Sequence, residues 1–209
     1  MLLSKESVVS MFRSVALIWQ QNADSLSDID SRFGDGDHGV TIGKMAALTL
    51  ERLDSWKEES IKDFIEDLST GFMGISGGSA GPLYGTLVEG LAEPLTDETA
   101  IDATTLKAML TGSRESLFEI TKARVGDKTM MDALIPAVDA ACQAENDVVK
   151  VLQAASGAAL QGAKDTANMV AKFGRARSYG EKTLGTPDVG AASTALLFQG
   201  FLYGVEKQG

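Results

Sequence analysis

Three carboxylates lie within eight residues of the sequence, at Asp30, Asp35 and Asp37. Carboxylates this close repel one another unless a cation lies among them, and Mg²⁺ is usually held by one or two carboxylates together with substrate phosphates. The neighbouring Gly34 and Gly36 allow a tight backbone that would turn Asp35 and Asp37 toward one point. The segment predicts a magnesium site, and a solvated surface turn is the alternative explanation.

Other metal sites fit this segment poorly. An EF-hand loop starting at Asp35 needs a glutamate at its twelfth position, where this chain has Ala46. His38 is the only histidine, which excludes zinc sites built from two or three histidines. Taken by itself, His38 is more typical of a capping or hydrogen-bonding residue than of a metal ligand.

A glycine-rich segment, Gly77 to Pro82, precedes a predicted helix. Backbone N–H groups free of side chains can approach phosphate oxygens closely, and a helix N-terminus attracts anions. No Gly-Lys-Ser/Thr closes the segment, so it is not a Walker A loop. A phosphate cradle and a tightly packed helix connection both remain open.

Later segments add weaker signals. Asp127 is predicted to cap a helix, Lys128 to face solvent or an anion, and Met130 to lie in the core or against a purine. Arg175, Arg177 and Lys182 form a basic island that suits either a phosphate site or a solvated loop. Asp188 precedes the last helix and is a candidate cap.

The elements that must position these residues are helices. Apolar residues recur with helical spacing in eight segments, and no segment alternates with period two over a convincing length. The first helix is predicted behind Ser4 and the fifth behind Asp102. The predicted bounds of four others are Pro82 to Ala92, Lys128 to Cys142, Val148 to Lys172 and Val189 to Glu206. We therefore expect an all-α chain.

The glycines concentrate in four connections, 34–39, 74–81, 126–129 and 180–190. These follow the first, third, fifth and seventh predicted helices. Successive antiparallel helices place every second connection at the same end of a bundle. Glycine-rich backbone, carboxylates and helix N-termini are therefore expected to converge at one end, as in a phosphate site.

Composition limits the class of protein. The chain has 209 residues and a formal net charge of -10, which suits one domain spanning 1–209 and disfavours nucleic acid or an anionic membrane surface as partners. One cysteine, Cys142, excludes an internal disulfide. Neither a signal peptide nor an apolar run long enough to span a membrane is evident, so we expect a cytoplasmic protein.

Together these segments resemble a known family. The patterns Asp-x4-Asp-x-Asp-His-Gly, Gly-Gly-x-x-Gly-Pro-Leu-Tyr-Gly-Thr, Gly-Asp-Lys-Thr-Met and Gly-Glu-x-x-x-Gly-x-x-Asp-x-Gly-Ala occur in that order, between Asp30 and Ser193. They are similar to the nucleotide-binding (L) subunits or domains of dihydroxyacetone kinases. The resemblance implies an eight-helix antiparallel up-and-down barrel with ADP or ATP bound at one end.

The resemblance also implies roles for individual residues. Asp30, Asp35 and Asp37 would bind two Mg²⁺ ions that bridge the phosphates, and the loop from Arg175 to Pro187 would act as a lid. The sequence has Ser79-Ala80 where the family pattern has Ala-Ser, and Arg177 competes with Arg175 for the same role. The residues implied to line the nucleotide are His38, Gly39, Val40, Thr41, Ser79, Ala80, Thr121, Met130, Arg175, Asp188, Val189 and Gly190.

By the same resemblance, the chain is a phosphotransferase subunit that acts only with a partner. A separate substrate-binding subunit would hold dihydroxyacetone, and the phosphoryl source would be either a phosphotransferase-system protein acting on retained ADP or exchangeable ATP. A kinase module for another acceptor, such as a tetrulose, and a non-catalytic Mg-nucleotide sensor are the alternatives. A metal-dependent glycosyltransferase is disfavoured because no doubly wound sheet is predicted. A homodimer is compatible with the sequence, although no residue pattern points to one.

Overall fold

The computed structural model describes residues 2–57 and 60–207, and it is built almost entirely from α-helices. In chain order, α1 to α8 are Lys5–Asp30, His38–Ser55, Ile61–Met73, Ala80–Ala92, Ala103–Ile120, Met131–Gln143, Val148–Asp165 and Val189–Glu206. Two short strands, β1 (Leu3–Ser4) and β2 (Ala100–Ile101), pair antiparallel. Short 3-10 helices cover Thr166–Asn168 and Arg175–Thr183 between α7 and α8. The predicted all-α class is confirmed.

The predicted caps explain where several helices begin. The Ser4 hydroxyl accepts a hydrogen bond from the Ser7 amide at 3.4 Å, and the Asp102 carboxylate accepts one from the Thr105 amide at 2.7 Å. Each side chain satisfies an amide that has no acceptor within its own helix. The first and fifth helices therefore start where the sequence predicted.

Three helix ends differ from the prediction. α4 begins at Ala80, two residues before Pro82, because proline is tolerated anywhere in the first turn. α6 begins at Met131 instead of near Lys128, whose φ of +60° is incompatible with a right-handed helix. α7 ends at Asp165 instead of reaching Lys172, and the chain continues as a 3-10 turn.

The prediction that Asp127 caps α6 is wrong. Its carboxylate instead accepts from the Arg124 amide at 2.8 Å and from the Lys172 ammonium at 2.7 Å, and Lys172 lowers its pKa. Asp132 takes the role of joining the preceding turn to the helix, since it accepts from the Gly126 and Thr129 amides. A carboxylate inside the first turn reaches back to amides that precede it.

The helices form a closed ring in chain order, in which α8 packs against α1. Gly200 and Gly204 make this closure possible, because a Cβ at either position would lie within 2.5 Å of the α1 backbone at Val15 or Met11. The interior is filled by one apolar core that includes Trp19, whose indole N–H donates to the Ser193 carbonyl at 3.0 Å. Among the described residues, no helix is long and apolar enough to cross a membrane.

Candidate nucleotide and metal site

A cavity of about 650 Å³ opens at one end of the barrel. Its walls come from the connections that follow α1, α3, α5 and α7, and each connection leads into the first turn of an even-numbered helix. The predicted convergence of the four glycine-rich segments is therefore observed. Four helix N-termini meet at the cavity, and each carries partial positive charge that favours a phosphate-bearing ligand.

Asp30, Asp35 and Asp37 lie together at this end. One carboxylate oxygen from each lies within 4.8 Å of the others. Asp30 ends α1 and its Oδ2 accepts from the His38 amide at 3.4 Å, whereas the Asp37 side chain makes no capping hydrogen bond to α2. A Cβ at Gly34 would lie 2.2 Å from Asp30 Oδ1, so only glycine lets the loop return this close to the carboxylate.

This donor set fits a hard divalent cation. Mg²⁺ binds oxygen ligands at roughly 2.1 Å, so two ligands of one ion are separated by up to about 4.2 Å. The three aspartate oxygens need to move only slightly to share one ion or to bridge two. The Arg175 guanidinium forms an ion pair with Asp35 Oδ2 and supplies a positive charge beside the cluster.

The imidazole of His38 belongs to a chain of hydrogen bonds that includes two hydroxyl groups. Its Nε2 lies 2.8 Å from Ser193 Oγ, which in turn lies 2.7 Å from the Tyr84 hydroxyl. Burial lowers the pKa of His38 to about 4, against the opposing charge of Asp30. The imidazole is therefore neutral at physiological pH, and it links the start of α2 to α4 and α8.

The glycine-rich loop lies over α2 at the cavity edge. Gly77 has φ +150°, and a Cβ there would lie 2.2 Å from Thr41 Oγ1, so a side chain at 77 would collide with α2. Gly78 has φ +56° with open space around it. Ser79 is exposed, and its side chain makes no capping hydrogen bond to α4. Its hydroxyl is therefore not engaged in capping the helix.

Part of the cavity lining is apolar. It includes Leu83, Ala123, Met130 and Met131, and Thr121 also lines the cavity. Met130 is 5% exposed and belongs to both the core and the cavity lining. A core position and a position beside a ligand, the two alternatives for this residue, are therefore compatible. A flat apolar ring such as a purine suits this apolar part, and polyphosphate suits the part with the carboxylates and glycines.

Twelve of the fifteen predicted site residues line the cavity. They are Asp30, Asp35, Asp37, His38, Ser79, Ala80, Thr121, Met130, Arg175, Asp188, Val189 and Gly190. Gly39, Val40 and Thr41 are not part of the lining: Gly39 packs against the Ala23 carbonyl of α1, Thr41 is buried under Gly77, and Val40 is exposed.

The two competing arginines lie differently with respect to the cavity. Arg175 lines the cavity and contacts Asp35, whereas Arg177 is absent from the described lining residues. Gly174 has φ +62° and ψ -162°, a conformation open only to glycine, and it turns the chain so that Arg175 faces the aspartates.

Sequence reasoning missed several lining residues. They include Phe33, Leu83, Tyr84, Thr129, Phe173 and Pro187, and Lys128 also belongs to the lining. Leu83 and Tyr84 stand in the Gly-Pro-Leu-Tyr-Gly segment already singled out, but apolar residues on a helix are normally assigned to the core. Phe33 and Tyr179 make an edge-on ring contact at 5.3 Å that joins the aspartate loop to the 3-10 segment, and no local pattern predicts that pairing.

A family model described as the DAK2 domain matches residues 32–203. The chain belongs to the DAK2 domain family. This DAK2 domain is 34% identical over 185 residues to the ADP-binding subunit DhaL of PEP-dependent dihydroxyacetone kinase 1 from Listeria innocua, covering 88% of each chain. It is 28% identical over 202 residues to the corresponding Escherichia coli subunit, covering 95% of this chain and 96% of that one.

Longer relatives contain a comparable region. The DAK2 domain is 33% identical over 181 residues to an L-erythrulose kinase from Pectobacterium atrosepticum, and the match covers 84% of this chain but 31% of that protein. Among solved structures, the dihydroxyacetone kinase of C. freundii superposes with a TM-score of 0.72 at 24% identity, over 96% of this chain and 35% of that one. This last likeness establishes the eight-helix fold.

Proposed function

We propose that this DAK2 domain is the ADP- or ATP-binding subunit of a dihydroxyacetone kinase. It would transfer a phosphoryl group through Mg-nucleotide to dihydroxyacetone held on a separate substrate-binding subunit. The observation that carries the proposal is the meeting of the Asp30, Asp35 and Asp37 carboxylates with four helix N-termini around one cavity. The free-standing relatives, named as ADP-binding subunits of dihydroxyacetone kinases, support it over most of their length.

The roles of the residues follow from their positions. Asp30, Asp35 and Asp37 would hold two Mg²⁺ ions, which neutralise phosphate charge when bound and so supply most of the electrostatic help in phosphoryl transfer. The amides at the starts of α2 and α4 and the Ser79 hydroxyl would hold the phosphates. The wall formed by Leu83, Met130 and Thr121 would hold the adenine.

Arg175 is the mobile positive charge in this arrangement. Its side chain is 59% exposed and pairs with Asp35, which is one of the proposed metal ligands. Once a cation takes the Asp35 carboxylate, the guanidinium is free to turn to the phosphates, which it binds well through its planar set of N–H donors. Arg175 would thus close the lid segment over bound nucleotide.

The acceptor would arrive on another protein. His38 is the single histidine and is engaged with Ser193, so no second histidine is left to hold a carbonyl substrate covalently, as the family's substrate subunits do. Apolar side chains exposed on the connections around the cavity offer a docking surface for such a partner, and they include Ile120, Val125, Phe173 and Tyr179. An acceptor of the tetrulose class is the second candidate, favoured by the similarity to erythrulose kinases.

Reconstitution tests the proposal. The purified chain with Mg-ATP and dihydroxyacetone should form no sugar phosphate above background, and adding a substrate-binding subunit should restore transfer. Retention of ADP through purification would place the chain in the branch rephosphorylated by a phosphotransferase-system protein, and an empty site that takes up ATP would place it in the exchanging branch. Turnover by the chain alone, or no binding of Mg-nucleotide, would contradict the proposed function.

A further inference from the structure

Lys128 is a buried lysine in a strained backbone position. It is 4% exposed, and among the described residues it alone has a positive φ without being glycine, at +60°. A left-handed conformation is uncommon for a residue with a long side chain and is strained. Glycine would relieve this strain, so a lysine at this position implies a use for its side chain.

The ammonium of Lys128 is bound by two carbonyl groups that are far apart in the sequence. Nζ donates to the Thr166 carbonyl at 2.6 Å and to the Thr186 carbonyl at 2.5 Å. These two carbonyls lie at the two ends of the segment 166–188, which contains the lid predicted for 175–187; we call the whole segment 166–188 the lid loop. The Lys128 side chain, which comes from the connection between α5 and α6, is therefore hydrogen-bonded to both ends of the lid loop.

Two further hydrogen bonds join the ends of the lid loop. The Asp188 amide donates to Thr166 Oγ1 at 2.8 Å, and the Gly185 amide donates to the Ala167 carbonyl at 2.7 Å. The carboxylates of Asp132 and Asp188 both act electrostatically on the Lys128 ammonium. The base of the lid loop is thus a buried polar network centred on one positive charge, and such a network is rigid only while every member is satisfied.

The outer part of the lid loop is attached differently. The exposed side chains of Arg175 and Tyr179 meet Asp35 and the half-buried Phe33, and Gly174 and Gly180 flank these contacts with positive φ. Exposed ion pairs and single ring contacts are weak. The outer part can therefore move while the base stays fixed.

We propose that Lys128 is a positioning residue for the nucleotide site, which it serves by fixing the base of the lid loop instead of by binding the ligand's phosphates. This inference rests on the proposed function. The fixed base sets Asp188, Val189 and Gly190 at the cavity wall and anchors both ends of the segment that carries Arg175. Without the ammonium, two buried carbonyls lose their donor and the loop no longer presents these residues together.

Lys128→Met is the decisive variant, because methionine keeps most of the side-chain volume and faces the same cost at positive φ but has no donor. The control is Lys107→Met, which removes a 2.7 Å lysine bond to the Ala144 carbonyl at the opposite end of the barrel. Hydrogen exchange of the nucleotide-free chains and calorimetric titration with Mg-ADP are measured for both. We expect Lys128→Met to speed exchange in 166–188 about tenfold and to weaken Mg-ADP binding about tenfold, a loss of roughly 1.4 kcal/mol.

Lys107→Met should change neither quantity by more than about twofold. Unchanged Mg-ADP binding in Lys128→Met would overturn the proposal. Weaker binding with unchanged exchange in 166–188 would also overturn it, since Lys128 would then act on the ligand directly.

If Lys128→Met does not fold, Lys128→Gln keeps one donor group and must show the same two effects at smaller size. If the unmodified chain binds no Mg-nucleotide, the proposed function fails, while exchange in the nucleotide-free chain still decides whether Lys128 fixes the loop.

Discussion

His38 Nε2 lies 2.8 Å from Ser193 Oγ, so a residue beside the aspartate cluster is held by a hydroxyl on the last helix. Ser193 is fully buried and also lies 2.7 Å from the Tyr84 hydroxyl. The Ser193 hydroxyl thereby joins α2, α4 and α8. The orientation of His38, and through it the start of α2, depends on residues 155 positions away in the chain.

Replacing Ser193 by alanine should therefore weaken both folding and ligand binding. Loss of a buried hydroxyl that serves two partners is expected to lower the free energy of unfolding by about 1–3 kcal/mol. Binding of Mg-ADP should weaken several-fold because His38 is no longer held. Ser113→Ala is the matched control, since Ser113 is equally buried and donates to the Leu87 carbonyl at 2.8 Å away from the cavity. Urea unfolding and calorimetry should show similar destabilisation in both variants but weaker binding only in Ser193→Ala.

Asp37→Asn should abolish tight Mg-ADP binding without harming the fold. The substitution removes one of three clustered carboxylates, which lowers the affinity for the cation by tenfold or more, equivalent to about 1.4 kcal/mol. In EDTA the variant should be as stable as the parent or more stable, because repulsion within the cluster falls. Asp28→Asn, an exposed position outside the cavity, is the control. Parental affinity in Asp37→Asn, measured by titration with Mg-ADP, would refute the assignment of the ligands.

Arg175→Ala and Arg177→Ala should separate the two arginines that the sequence left in competition. Arg175 lines the cavity and pairs with Asp35, so its removal is expected to weaken Mg-ADP binding about tenfold, or roughly 1.4 kcal/mol. Its exposed ion pair contributes little to folding, so the melting temperature of the nucleotide-free chain should hardly change. Arg177→Ala should bind within about twofold of the parent. The reverse order of effects in a titration would assign the role to Arg177.

Asp188 should lower the stability of the nucleotide-free chain as the pH rises from 4 to 7. Burial raises the pKa of Asp188 from 3.8 to about 7, with Asp132 adding to the effect. Between these two values the folded chain keeps a proton on Asp188 that the unfolded chain has lost, so this group favours unfolding as the pH rises, whereas the lowered pKa of His38 acts in the opposite direction. Asp188→Asn keeps an acceptor for the Ala191 amide but cannot ionise. Relative to the parent, the urea midpoint of Asp188→Asn should therefore become more favourable to folding as the pH rises from 4 to 7; the same pH dependence in both chains would contradict the shift.

Bound Mg-ADP should protect the cavity end of the barrel selectively. The nucleotide-free protein has charge repulsion and glycine-rich backbone there, so local opening is easiest in these segments. The ligand should raise the melting temperature by mass action and slow hydrogen exchange most in 34–39, 76–81 and 175–190. The connection 95–103 lies at the opposite end and serves as the internal control. Protection concentrated in 95–103 would show that the ligand binds elsewhere.

The sequence by itself determined the helices and the place where the site would form. Helical spacing and caps such as Ser4 and Asp102 are local features, and the side chain of each cap bonds to an amide three residues away. Alternate connections share one end of an antiparallel bundle, and this rule predicts that Asp35 and Gly78 lie at the same end. Both residues line the observed cavity. Local periodicity and chain topology together were sufficient for this result.

Only the tertiary structure decided what individual polar residues do within the site. Asp127 had the pattern of a helix cap but binds Lys172, which is 45 residues away. Lys128 was predicted to face solvent or an anion; it is 4% exposed, lines the cavity and donates to carbonyls 38 and 58 residues away. The choice of Arg175 over Arg177 at the cavity rests on the conformation of Gly174. These outcomes depend on which backbone groups the closed barrel leaves without partners, and that is a property of long-range packing which residue type and spacing do not contain.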